Sequence, residues 1–157
     1  MDLTGLARTL LGSIPAHQAA GLEVLRAADG VGVVALDVRP ELTNVIGSLH
    51  SSGLITLIDA AGLAAIIAAG PTEAAFEGIV PLGGSARLRF RAPARGRLTA
   101  TCVLDDTARA QLTGVFAGTT DRARFTTTAS VSAASGTVVC EGGFDWSVRR
   151  TVGAPTG

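Results

Sequence analysis

Lysine is absent from this chain, cysteine occurs only twice in 157 residues, and charged side chains make up just 17%. Thirteen arginines are matched by thirteen acids, which excludes both the charge excess of a disordered tail and the basic surplus of a nucleic-acid binder. The all-arginine usage reads as genome composition, although arginine is also the better side chain for gripping phosphate oxygens in pairs. Cys102 and Cys140 form no CxxC pair, so neither a disulfide framework nor a four-ligand zinc site is available, and buried reduced thiols are expected. The opening MDLTGLARTLLGSIPAHQAA lacks the basic start and continuous apolar core of a secretory signal, making a cytoplasmic location the expectation. The apolar run from Gly53 has a carboxylate in its middle and no basic flanks. A membrane span is not expected there.

What is present is a rich supply of apolar residues, 47% of the chain. A chain of this length suits one domain, residues 1–157, able to bury roughly 70% of the surface its unfolded form exposes. Leu3 to Leu11 carry apolar side chains at helical spacing, so residues 1–14 should hold a first helix before Pro15 breaks the pattern. LEVLRAADGVGVVALDV predicts two antiparallel strands around Asp29-Gly30. A long helix follows, with Ser51 or Ser52 as its N-cap, stopped by Gly70-Pro71. Beyond it the chain reads as strands. Ala86, Leu88 and Phe90 alternate with Arg87, Arg89 and Arg91, one apolar and one charged face. Leu98 to Leu104, Ala123 to Val131 and Thr137 to Val148 are three further strands, Thr107 to Gly118 fits helix and strand alike, and residues 151–157 read as a disordered tail. The order predicts an α+β fold in which an antiparallel sheet curls around one central helix, or a second subunit completes its enclosure.

The central stretch SSGLITLIDAAGLAAIIAA contains a single charge, Asp59. A lone carboxylate inside an apolar helix is costly unless something pairs with it or uses it. Asn44 and His50 precede it, so an amide, an imidazole and a carboxylate fall within sixteen residues.

The segment N-V-I-G-S-L-H-S-S-G-L-I-T-L-I-D resembles the signature of hotdog-fold acyl-CoA thioesterases of the phenylacetate-pathway type. That motif runs from an Asn, six residues to a His, then nine to a helical acid, and both spacings match. The likeness extends through R-F-R-A-P-A-R-G-R-L to about Val148. The family has Gly-Gly or Ala-Gly after the His, whereas this chain has Ser51-Ser52. The resemblance implies a cofactor-free and metal-free hydrolase of acyl-CoA or acyl-carrier-protein thioesters, working as a homodimer or dimer of dimers without nucleic-acid or membrane partners. It implies positioning and polarising roles for Asn44 and His50, and a site at a dimer interface with the acid from the opposite subunit. The helix N-terminus, through the amides of Ser51 and Ser52, is the candidate carbonyl-binding group. Asp59 is the candidate general base or nucleophile. Eight residues of helix put it about 12 Å from Ser51, too far for both to reach one carbonyl from the same chain. Ser85 is the candidate for holding the attacking water, and Arg91, Arg95 and Arg97 for meeting coenzyme A phosphates.

Plainer readings compete. Asp59 could be a core acid satisfied by a hydroxyl such as Thr56; His50 a cap; Asn44 a turn residue; Ser51 and Ser52 N-caps; His17 a solvated loop residue; and the arginine stripe a wet strand face. At the level of function the rivals are a non-catalytic acyl-thioester-binding module and a hydratase on the same fold.

Overall fold

The computed structural model describes residues 1–151. Of the expected tail, residues 152–157 lie outside the described residues.

Helix α1, Leu3–Gly12, begins where the Asp2 carboxylate accepts the Gly5 amide. Pro15 does not end helical structure as expected. It occupies the first turn of α2, Pro15–Ala20, whose end is marked by Gly21 at φ 67°, a pairing of Pro at the start and Gly past the end that suits a short helix. Strands β1, Glu23–Ala28, and β2, Val31–Asp37, form the expected hairpin. Asp29 and Gly30 both have positive φ, 54° and 70°, the geometry of the tight turn that Asp-Gly favours.

Helix α3 spans Ser51–Ile67. Strand β3, Ile79–Phe90, starts seven residues before the arginine alternation that signalled it, because the intervening Pro81, Gly83 and Gly84 hide its period in the sequence. Strand β4 is Arg97–Val103, β5 Arg122–Ala133 and β6 Val138–Arg150. The segment that fitted both helix and strand is helix α4, Asp106–Ala117. Asp105 caps it, and Ala108, Leu112, Val115 and Phe116 form its buried stripe, the three-to-four spacing of a helix packed on one side.

The strands make one sheet in the order β1-β2-β4-β5-β6-β3, every pair antiparallel. Helix α3 touches all six, so the sheet curls around it, which is the hotdog arrangement. Helix α1 covers β1 at one edge. At the other edge β3 is uncovered among the described residues, with Leu82 and Phe90 more than half exposed.

The wrap is tight because both surfaces are small at their contact. A Cβ built on Gly32 of β2 would lie 2.4 Å from both the Ala61 carbonyl oxygen and the Ala65 amide nitrogen, so strand and helix meet backbone to backbone. Farther round the sheet, Gly62 faces Thr127 and Trp146, whose indole N–H donates to the Thr127 hydroxyl at 2.7 Å. Helix α3 is not buried on every side, however. Ile55 is 41% exposed, and Ser51, Ser52 and part of Asp59 also reach solvent.

Gly32→Ala should therefore lower unfolding free energy by about 1–3 kcal/mol through overpacking against helix backbone. Gly12→Ala, where an added methyl meets nothing within 4 Å, should leave it within about 0.5 kcal/mol; paired urea melts check both.

Candidate active site

The approach to α3 is a stitched loop. Thr43 and Leu49 form an isolated antiparallel bridge. Between them the Asn44 side-chain oxygen accepts the amides of Ile46 and Ser48, each at 3.1 Å, and Gly47 takes φ 73°. The Arg95 guanidinium donates to the carbonyls of Ile46 and Gly47 at 2.8 and 3.0 Å. Ser48 is buried, and its hydroxyl accepts the Ala94 amide at 2.7 Å. Asn44 is thus a turn residue, but only through its oxygen. Its Nδ2 group has no acceptor among the described residues, leaving two N–H donors for a ligand.

The helix cap corrects the expectation. His50, not Ser51 or Ser52, is the N-cap: its Nδ1 accepts the Ser52 amide at 3.1 Å and lies 2.8 Å from the Ser52 hydroxyl. An amide can only donate, so Nδ1 is bare and the neutral ring carries its proton on Nε2. The Ser52 amide is thereby occupied. The Ser51 amide has no partner among the described residues, and it sits at the positive end of the helix dipole.

Asn44, His50 and Ser51 line one cavity of about 480 Å³, with Leu54, Phe90 and Pro93 among its apolar walls. A few polar groups among hydrophobic side chains are what an orienting ligand site requires. Ser52 lies on the other side, in a separate hollow of about 430 Å³ that His50 also lines with Thr56 and Ala16.

Asp59 lines neither hollow. It is not the lone buried charge anticipated: its side chain is 31% exposed, and Oδ2 lies 3.6 Å from Nε2 of His17. Thr56, the hydroxyl considered for it, donates to the Ser52 carbonyl at 2.9 Å. His17 is buried in α2 rather than solvated in a loop. Sequence reasoning missed it, although Pro15 followed by Gly21 was the available helix signal.

Ser85 is on the outer face of the sheet, away from α3, where it donates to the Asp145 carboxylate together with Thr126. Those two hydroxyls, Ser85 first, and then Arg87 hold the Asp145 carboxyl below its ordinary range. Of the three arginines, Arg91 lines the cavity and pairs with Glu141 at 3.0 Å. Arg95 ties the loop, and Arg97 is held between Glu23 and Asp37 at 2.6 and 3.3 Å. Cys102 is fully buried and its thiol is pushed up to about 11 by that burial, so it is not a nucleophile. No cluster of metal-ligating side chains occurs among the described residues.

A family model described as a domain of unknown function, DUF4442, matches residues 7–148. The chain belongs to the DUF4442 family. No curated protein is significantly similar to it in sequence. Among solved structures, this DUF4442 chain is similar to a Pseudomonas aeruginosa protein of unknown function described as a probable thioesterase. The two share 26% identity over 94% of this chain and 96% of the other, with a TM-score of 0.77. A thioesterase family protein of Silicibacter pomeroyi matches at 16% identity over 95% and 99%, TM-score 0.72. PaaI, from the phenylacetic acid degradation operon of E. coli, matches at 16% over 97% and 96%, TM-score 0.67. The fold is that of the hotdog thioesterases, and no helix among the described residues is long and apolar enough to cross a membrane.

The loop geometry separates two functions of Asn44. Asn44→Ala should cost about 1–2 kcal/mol, since two loop amides lose their acceptor, whereas Asn44→Asp should unfold close to wild type because the oxygen remains. Thermal melts of the pair distinguish them.

Proposed function

We propose that this chain hydrolyses thioesters of coenzyme A or of an acyl-carrier protein, acting as a dimer. The observation that carries the reading is that Asn44, the capping His50 and Ser51 line one cavity at the N-terminus of α3, with Asn44 Nδ2 and the Ser51 amide unpartnered among the described residues. The likeness to proteins described as thioesterases supports it.

The chemistry follows from the donors. A thioester carbonyl docked at the helix N-terminus meets the Ser51 N–H and the helix dipole, which stabilise negative charge developing on oxygen. Asn44 Nδ2 and the proton on His50 Nε2 orient the thioester and its leaving sulfur. Asp59 supplies the base or the nucleophile, but eight residues of helix place it about 12 Å from the Ser51 amide. A second copy closes that gap. The uncovered edge of β3 and the exposed stripe of α3 through Ile55 and Asp59 are the surfaces on which two chains would meet, each site taking its amide end from one chain and its acid from the other. Arg91, at the cavity rim, is the residue proposed to meet a coenzyme A phosphate; Arg95 and Arg97 have their donors engaged by the loop and by two carboxylates.

Incubation with a panel of acyl-CoA thioesters and a thiol reagent should release free coenzyme A, and Asp59→Asn should lower kcat by at least about a hundredfold while remaining folded. Tight binding with no release would favour the non-catalytic module. Refolding Asn44→Ala together with Asp59→Asn should recover about a quarter of wild-type activity, since random pairing leaves one intact site in half the dimers. Failure to recover any would remove the shared site. Arg91→Ala should raise KM about tenfold with kcat nearly unchanged; an unchanged KM would dismiss its phosphate contact.

A further inference from the structure

We propose that the outer face of the sheet carries a nucleotide subsite in which Arg87 and Arg89 hold the phosphates of coenzyme A, so that the substrate is an acyl-CoA and not an acyl-carrier protein. This rests on the hydrolase reading above and deepens it. A hollow of about 740 Å³ lies over β3, β5 and β6, within the range of roughly 300–1,000 Å³ that takes small-molecule ligands. It is on the side turned away from α3, where Thr126 and Thr128 alternate with the buried Phe125, Thr127 and Ala129. The register explains its shape. Arg87 of β3 sits opposite Gly143 of β6, which sits opposite Thr128 of β5. The missing side chain at Gly143 leaves a gap between the row through Asp145 and the row through Glu141.

The lining mixes two kinds of group. Arg87 and Arg89 are exposed, and neither has a carboxylate within ion-pair distance among the described residues. Such guanidinium groups grip phosphate oxygens in pairs. Beside them Asp145 accepts the hydroxyls of Ser85 and Thr126, Glu141 pairs with Arg91 at 3.0 Å, and the Thr128 hydroxyl stands open. Carboxylates and hydroxyls accept from the O–H groups of a ribose and the amino group of adenine. A nucleotide carries both its anionic oxygens and those donors, whereas an acidic protein surface would be repelled by Asp145 and Glu141. The chain as a whole has no net charge, so it is this local placement that supplies the attraction.

Arg91 borders both this hollow and the cavity at the N-terminus of α3. A thioester seated in the cavity would therefore send its pantetheine arm past Arg91 and lay its phosphates over Arg89 and Arg87. From Arg91 to Ser85 the extended chain covers about 20 Å, room for a nucleotide beyond the phosphates. A carrier protein's arm has one phosphate and no nucleotide, and would leave most of the hollow unused. A partner chain hydrogen-bonded along the β3 edge would use backbone groups and leave these outward side chains in place.

Calorimetric titration tests the subsite without turnover. Coenzyme A should bind at least about tenfold more tightly than 4′-phosphopantetheine, which lacks the nucleotide, and Arg87→Ala and Arg89→Ala should each remove most of that advantage. Both positions are exposed, so the variants should fold. Arg124→Ala is the control, because that side chain is exposed on the same face of β5 but outside the hollow; it should change the affinity by less than about twofold. Equal affinity for the two ligands, or an equal loss in Arg124→Ala, would overturn the subsite and leave the hydrolase reading standing. The nucleotide advantage without any thioester cleavage would remove the hydrolase reading and keep the subsite. In turnover, kcat/KM for an acyl-CoA should exceed that for the same acyl group on 4′-phosphopantetheine by at least about tenfold, with Arg89→Ala narrowing the gap through KM. Preference for a carrier-protein thioester over the matching acyl-CoA would overturn the proposal.

Discussion

The backbone contact between α3 and the sheet is the constraint from which the remaining geometry follows. A helix can lie this close to a strand only where neither presents a side chain, and Gly32 against Ala61 and Ala65 meets that condition. Close approach lets a sheet of six strands curl far enough to touch α3 along its length. It also aims the helix N-terminus at the loops on either side, from Thr43 to Leu49 and from Ala92 to Gly96, which hydrogen bonds stitch together. A looser helix would leave the Ser51 amide without a defined place relative to Asn44.

The candidate site is built from residues that serve twice. Asn44 spends its oxygen on the loop and keeps its N–H groups; His50 spends Nδ1 on the cap and keeps Nε2; His17 spends Nδ1 on α1 and turns Nε2 to Asp59. Each side chain is locked through one atom, which leaves the other in a defined place; the proposed hydrolysis would draw on such preorganisation. The exposed edge strand and the open stripe of α3 are the surfaces that the proposed dimer would cover.

Much of this was legible beforehand. The Asp-Gly turn, the alternation at Ala86 to Phe90, and the long small-residue helix with its single carboxylate led to a curled antiparallel sheet around one helix, and Asn44 and His50 just ahead of that helix pointed to its N-terminus as the candidate site. Other features were not legible for stated reasons. The start of β3 carried no period because Pro81, Gly83 and Gly84 interrupt it. Helix α4 mixed threonine, glycine and valine into a helical stripe. His17 looked like a loop residue because Pro15 was read as a stop, when proline is equally at home in the first turn of a helix.

By itself the amino-acid order determined most of the helices and strands, α2, α4 and the start of β3 excepted, since that depends on periodicity, turn residues and backbone freedom within a few positions. It also placed Asn44, His50 and Ser51 together at the start of α3, because all lie within one short stretch. Only the tertiary structure decided which atom of each group is spent and which is free: that the imidazole of His50 takes the cap from two serines, that Arg95 and Arg97 are engaged while Arg91 borders the cavity, that Ser85 faces outward, and that His17 meets Asp59 from forty-two residues away. Those outcomes depend on contacts between segments remote in sequence, whose geometry is set by packing and leaves no local pattern to read.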